Sequence, residues 1–179
     1  MKSVAVLGLG VIALTTGAFM SAGAAAGSSY FDASVEGAVS ARPSGKVAFG
    51  VVGDSASGVA AFTITLDADG SAGAILFTSL EGRMPAPGRY EVTGGDVAGT
   101  TGFRASYIAG SPERPSGLFR GERGTLEIMA SGAGHINGVF SFTGSGFLSA
   151  DSTDESAEVT VSGAFASTHS APGPRAAQP

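Results

Sequence analysis

The sequence predicts an all-β domain, an antiparallel β-sandwich or β-barrel of about 8–10 short strands that follows an N-terminal signal peptide. Three observations favour this class. Apolar and polar residues alternate with a period of two in many short stretches, which is the pattern of strands with one buried face. Glycine, at 29 of 179 residues, separates these stretches as turns and bulges do. No stretch after residue 26 carries the apolar stripe of period about 3.6 that an amphipathic helix needs.

Residues 1–26 have the three parts of a signal peptide. Lys2 supplies the positive start, residues 4–20 form an uncharged apolar core, and small residues follow, with the cleavage site expected between Ala24 and Gly27. We therefore expect an exported protein, periplasmic or extracellular. It would meet the membrane only through this leader, during export.

The same stretch also fits the G-x-G-x-x-A spacing of a dinucleotide site, at Gly8, Gly10 and Ala13. That fold needs an amphipathic helix and a second parallel strand after the glycines. The residues that follow, SAGAAAGSS, supply neither. The signal peptide is the better interpretation.

Residues 27–166 are expected to form one domain, because this length suits a single hydrophobic core. The segment 167–179 shows no apolar period and is predicted to be a disordered tail. The chain has no cysteine, so an exported fold would depend on burial and backbone pairing without disulfides.

The alternation of apolar and polar residues along the chain predicts where the strands lie. The clearest alternation is Phe62, Ile64 and Leu66 against Thr63, Thr65 and Asp67. Because phenylalanine has no polar group, the aromatic residues suit a dry interior or the lining of an apolar cavity. The core or ligand-lining candidates are Phe49, Phe62, Phe77, Phe103, Phe140 and Phe142.

The net charge and the composition limit the classes of molecule that the protein is expected to bind. The net charge is −5 and tryptophan is absent, so nothing favours nucleic acid or an anionic membrane surface as a partner. No cofactor is expected. The expected partner is a protein or surface of unknown identity, and a small apolar ligand is the alternative.

Three stretches near the end carry a resemblance. They are GTLEI at residues 124–128, GVFSF at 138–142, and VTVSGAF at 159–165. The G-T-L-x-I, G-x-F-S-F and V-T-V-x-G-x-F pattern resembles a loose group of uncharacterised secreted bacterial β proteins. The resemblance implies an all-β exported domain and brings no catalytic residues.

One fragment suggests an enzyme. Gly53-Asp54-Ser55 after an apolar run resembles the nucleophile block of GDS-type serine esterases, which would make Ser55 the nucleophile. Those enzymes also need a late D-x-x-H pair, in which the carboxylate orients the histidine that acts as base. Neither His135 nor His169 stands in such a pair, so we expect a hairpin loop at residues 53–58 and no enzyme.

The acidic turns are the candidate metal sites. Asp67, Asp69 and Ser71 have the alternating oxygen spacing of a calcium loop, but the twelfth position is Thr78 and not an acid. A second acidic stretch contains Asp151, Asp154 and Glu155. A hairpin turn is the better interpretation of the first stretch, and no metal is expected.

Two further features are predicted to lie on surface loops. His135 stands between two predicted strands, and a metal site there would need ligands that its neighbours do not offer. Arg114, Arg120 and Arg123 alternate with Glu113 and Glu122 around prolines, as in a solvated loop.

The functional prediction is an exported non-catalytic β-domain that serves as an envelope or extracellular structural or interaction module. The alternative is a β-barrel carrier of a small apolar ligand, since a barrel interior is lined as a sandwich core is. A serine esterase that uses Ser55 is a remote third hypothesis.

Overall fold

The computed structural model describes residues 29–54, 59–70, 72–95, 102–111, 113–132, 134–149 and 157–168. Nine β-strands run through these residues, and no helix among them is long and apolar enough to cross a membrane. The strands are β1 (Tyr30–Gly37), β2 (Ser44–Asp54), β3 (Val59–Ala68), β4 (Ala74–Ser79), β5 (Gly88–Thr93), β6 (Gly102–Ser111), β7 (Arg114–Gly132), β8 (His135–Leu148) and β9 (Ala157–Thr168). The predicted all-β class is confirmed. The predicted leader lies outside the described residues.

The strands close into a barrel in the order β1-β2-β3-β4-β6-β5-β7-β8-β9, and β9 pairs with β1. Of the two predicted architectures, the structure is therefore the barrel. Every pairing is antiparallel except that of β5 with β6. The closed ladder satisfies backbone hydrogen bonds without the open sheet edges that a sandwich would have.

Strand β5 is inserted between β6 and β7 and pairs with both of them. β7 pairs with β6 from Arg114 to Arg120 and then with β5 from Arg123 to Ile128. A register shift against β8 leaves Glu122 as the extra residue at the change of partner. The Gly94 N–H donates to the Glu122 carbonyl over 3.2 Å, which satisfies that carbonyl at the fork.

Phenylalanine side chains fill much of the interior. Of the six phenylalanines singled out in the sequence, five are buried and Phe49 is partly buried against the same cluster. The Phe77 ring lies 5.2 Å from that of Phe140 and 5.9 Å from that of Phe142, both edge-to-face. Such pairs add about 0.5–1.5 kcal/mol each beyond the burial of apolar area.

The barrel has two ends that the following sections use. The upper end holds the connections from β1 to β2, from β3 to β4 and from β6 to β7. At the lower end the chain enters at Ser29 and leaves through Thr168. β9 thus includes Ser167 and Thr168, two residues that the sequence assigned to the tail, and Ser167 is 2% exposed.

Candidate interaction surface at the upper end

A depression opens at the upper end between the ends of β6 and β7 and the two connections beside them. Its volume is about 520 Å³. Apolar residues such as Val39, Ala41 and Ala109 line it, together with polar groups from Ser111, Arg114 and other residues. An apolar floor with a few polar groups at the rim is the usual composition of a binding surface.

A β-bulge shapes this depression. The β6–β7 register pairs Ala109 with Gly117 and Gly110 with Pro115, which leaves Ser116 as the extra residue. Gly110 has φ +82°, a left-handed conformation that favours glycine. Bulges at barrel rims redirect side chains, and here the bulge lies next to the rim residues Arg114 and Ser116.

Tyr107 contributes to the depression from inside the barrel. Its hydroxyl donates to the Ala72 carbonyl over 3.3 Å, and its ring stacks with that of Phe119 at 6.0 Å. Burial raises the pKa of Tyr107 above its usual value of 10.0, so the side chain stays neutral at physiological pH. We assign it a structural role, because a neutral phenol bonded to a carbonyl has no poised proton acceptor.

A row of apolar side chains crosses the outside of the barrel near this depression. Ile108 of β6 pairs with Leu118 of β7, and Leu118 pairs with Phe147 of β8. Leu118 is 42% exposed and Phe147 is 44% exposed, whereas Ile108 is half-buried. We call Ile108, Leu118 and Phe147 the outer apolar row. Adjacent exposed apolar residues mark binding surfaces far better than single ones do.

Arginines flank the outer apolar row along β7. Arg120 occupies the next outward position after Leu118, and Arg114 lies near the rim of the depression; both are exposed. Arginine around an apolar centre is common in protein–protein interfaces, because it donates several hydrogen bonds from one planar group.

The prediction that the arginines lie on a long loop is wrong. Arg114, Arg120 and Arg123 all lie on β7, which continues for 19 residues. The alternation was hard to see because glycines occupy the inward positions Gly117 and Gly121. A Cβ on Gly121 would come within 3.0 Å of the Ala105 Cβ, so the packing favours glycine at this inward position. Glycine does not mark the position as apolar in the sequence.

The structure places the described metal candidates on the surface. Asp67 is still part of β3, where it pairs with Ala74, and Asp69 follows in the turn; both are exposed. Ser71, Asp151, Asp154 and Glu155 lie outside the described residues. Within the described ranges, no group of three or more His, Cys, Asp or Glu residues could hold a metal ion. The expectation of a hairpin turn without a metal ion stays a prediction.

The esterase candidate cannot be placed, because Ser55 and His169 lie outside the described residues. Gly53 and Asp54 belong to β2 and pair with Ala60 and Val59, so the expected hairpin loop is shorter than residues 53–58. His135 is exposed, as predicted, but the prediction that it lies on a loop is wrong, because it begins β8 opposite Gly132. Its β-hairpin connection is too short to leave it outside the ladder.

The stretches behind the sequence resemblance lie on three adjacent strands. Residues 124–128, 138–142 and 159–165 belong to β7, β8 and β9, and they pair in that order. No family model matches the chain, and neither a curated protein nor a solved structure does. Any function must therefore be argued from the surface itself.

Proposed function

We propose that this chain is an exported, non-catalytic β-barrel domain that acts in the cell envelope or outside the cell by binding another protein. The outer apolar row carries the proposal. Leu118 and Phe147 expose apolar area side by side where they would gain burial only against a partner. The neighbouring depression and the flanking arginines supply the polar rim that such an interface needs.

The packing of the interior favours this proposal over a carrier of a small apolar ligand. A carrier needs space among the inward side chains, as barrels that hold one ligand have. Here the Phe77 ring contacts the rings of Phe140 and Phe142 across the barrel. Binding on the outer surface requires no change in that packing.

The position of the described titratable groups supports a non-catalytic role. His135 is the histidine within the described residues, and it lies at the lower end of the barrel, opposite the end with the depression. Tyr107 keeps its proton and bonds to a carbonyl. Acid–base or nucleophilic chemistry needs such groups within hydrogen-bond reach of one another.

Binding measurements with a matched control test the proposal. A photo-crosslinking side chain at Ser116 in the exported protein would capture the partner in its own host, and the purified partner would then be titrated. We expect the double variant Leu118→Glu, Phe147→Glu to weaken the affinity at least tenfold, about 1.4 kcal/mol. Met129→Glu is the control, since Met129 is 64% exposed on the same strand but near the lower end, and its affinity should stay within about twofold.

Three results would contradict the proposal. One is an equal loss of affinity in the Met129→Glu control, and another is unchanged affinity in the double variant. The third is reproducible turnover on ester, glycoside or peptide substrates that a single substitution abolishes. Loss of ester hydrolysis in Ser55→Ala would favour the esterase. A small molecule released on denaturation in native mass spectrometry would favour the carrier.

A further inference from the structure

The depression at the upper end is the opening of the barrel interior. Tyr107 and Ala109 line it from the inward face of β6, and each is 1% exposed. Ile108, between them, faces outward and belongs to the outer apolar row. The volume of about 520 Å³ lies within the range of about 300–1,000 Å³ that is common for ligand sites. The depression therefore has room for a small part of a partner, such as the last residues of a peptide chain.

The described lining of the depression combines an apolar floor with a polar rim. Besides the Tyr107 hydroxyl, which is bonded to a carbonyl, the polar groups are the hydroxyls of Ser40, Ser111 and Ser116 and the guanidinium of Arg114. Hydroxyls and a guanidinium all donate hydrogen bonds, and Arg114 adds a positive charge. Although the whole chain has a net charge of −5, this rim suits a negatively charged acceptor.

Hydrogen bonds and packing hold the polar rim in place. The Ser111 hydroxyl accepts from Arg114 N–H over 3.2 Å, and a hydroxyl that accepts one bond still has a proton of its own to donate. The Ser116 carbonyl accepts from Ser149 N–H, just after β8, over 2.8 Å. A Cβ on Gly110 would come within 3.0 Å of the Ser116 Oγ, so glycine makes room there for the bulge. A rim that is ordered in advance lowers the entropic cost of binding.

A carboxylate fits this rim better than a phosphate does. Arginine donates two parallel hydrogen bonds to a carboxylate. Sites that recognise phosphate groups on proteins use clusters of arginines, whereas Arg114 is the one charged residue in the described lining. Glu113 is exposed next to Arg114 in the chain, and its negative charge would repel a dianion more strongly than a single carboxylate.

We propose that the depression binds the C-terminal residue of the partner protein, with the carboxylate at Arg114 and an apolar side chain on the floor. Capture of a C-terminal carboxylate is a recurring mode of peptide recognition. A C-terminal residue carries both groups on one Cα, so it can contact the rim and the floor together, whereas an internal acid needs a second residue for the apolar contact. The inference rests on the proposed function, because the rest of the partner would cover the outer apolar row.

Two capped tripeptides test the requirement for a charge. Both have the sequence N-acetyl-Ala-Ala-Leu, and they end in a carboxylate or in a carboxamide. Titration of the isotope-labelled exported protein, followed by NMR, should shift the backbone signals of Ala109 and Ser116. We expect the acid to bind about three to ten times more tightly than the amide, because Arg114 is exposed and its ion pair is partly screened by water. A tripeptide acid that ends in serine should bind more weakly, since it lacks the apolar side chain.

Substitutions on and beside β7 test where the carboxylate binds. Arg114→Gln should remove the preference for the acid and leave the affinity for the amide within about twofold. Arg123→Gln is the matched control and should keep the preference, because Arg123 is exposed on the same strand but does not line the depression. Glu113→Gln should strengthen binding of the acid by about twofold, since it removes a neighbouring negative charge.

Five results would overturn the proposal. The first three are equal affinities for the acid and the amide, a preference that survives Arg114→Gln, and loss of the preference in Arg123→Gln. The fourth is an absence of shifts at Ala109 and Ser116. The fifth is a stronger response to inorganic phosphate than to the acid at the same concentration, because the rim would then select phosphate.

The binding of the terminal residue and the proposed function can fail separately. If the Leu118→Glu, Phe147→Glu double variant loses the partner while the acid and the amide bind alike, the proposed function stands and the depression does not bind a C-terminal residue. If the acid is preferred but the double variant binds the partner normally, the outer apolar row is excluded from the interface and the site for the carboxylate stands.

Discussion

The wall formed by β7, β8 and β9 and the seam between β1 and β2 represent two ways of closing the same barrel. In the wall, β8 pairs along most of its length with both neighbours, and bulges at Glu122 and Met129 absorb the curvature. In the seam, two register pairs join the described residues of β1 and β2, and the Ser167 hydroxyl donates a further hydrogen bond to the Val47 carbonyl. Among the described residues the wall has the longer backbone pairing, and the seam adds a side-chain hydrogen bond to a shorter one, so mutations should affect the two regions differently.

The largest effect is expected where the far side of the barrel meets the wall. Phe77 of β4 is fully buried against Phe140 and Phe142 of β8. Phe77→Ala should lower the free energy of unfolding by about 3–5 kcal/mol, from lost burial and the cavity left behind. Phe147→Ala, on the outside of the same wall, should cost less than about 1 kcal/mol. Urea unfolding of both variants measures the contrast, and similar losses would show that the interior is not the main source of stability.

Two glycines, one in each region, allow the packing around the backbone to be compared. A Cβ on Gly146 of β8 would come within 2.7 Å of the Phe119 Cα, whereas one on Gly50 of β2 meets nothing within 4 Å. Gly146→Ala should cost about 1–3 kcal/mol, as other overpacked sites do. Gly50→Ala should stay within about 0.5 kcal/mol of the wild type. Thermal unfolding compares them, and a Gly50→Ala variant destabilised as much as Gly146→Ala would show that the space around the added Cβ does not decide the cost.

The serine at the seam should have a smaller effect. Ser167→Ala removes the donor to the Val47 carbonyl and the contact with Ser29, which should cost about 1–2 kcal/mol. Ser162→Ala on the same strand is exposed and should be neutral. Chemical denaturation measures both. An unchanged Ser167→Ala would show that the seam closes without this bond.

The smallest effect concerns pH and the tyrosine at the depression. Burial raises the pKa of Tyr107 in the folded state above the value of 10.0 expected when unfolded. The resulting stability is complete below pH 10 and is lost as the pH rises through the higher, folded-state pKa. Tyr107→Phe should make the decline of stability above pH 10 less steep. Unfolding midpoints between pH 9 and 11.5 measure this, and an unchanged slope would assign the decline to Tyr90, whose pKa is also raised, mainly by burial.

The sequence predicted strands best where apolar residues on one face alternate with polar residues on the other. Phe62, Ile64 and Leu66 alternate with polar residues and lie buried on β3 as expected. It failed at the first half of β7, where inward glycines and outward arginines produce no apolar period. It also ended the domain before Ser167, because a serine gives no sign of burial until its partner at Val47, 120 residues away in the chain, is known.

The upper-end surface was even less predictable. Leu118 and Phe147 are 29 positions apart, and only the β7–β8 register makes them neighbours. Neither residue appeared among the candidates. Both lie at outward positions of predicted or missed strands, and a search for large apolar residues at such positions would have found them.

The sequence by itself determined the class of this protein, because alternation of apolar residues is a local property that specifies strands wherever the chain goes. The sequence also excludes disulfides, because it has no cysteine, and its first 26 residues predict export. Tertiary structure alone decided that the sheet closes into a barrel and that β5 is inserted between β6 and β7. These features depend on register between strands distant in sequence, where a shift of one residue turns every side chain to the other face.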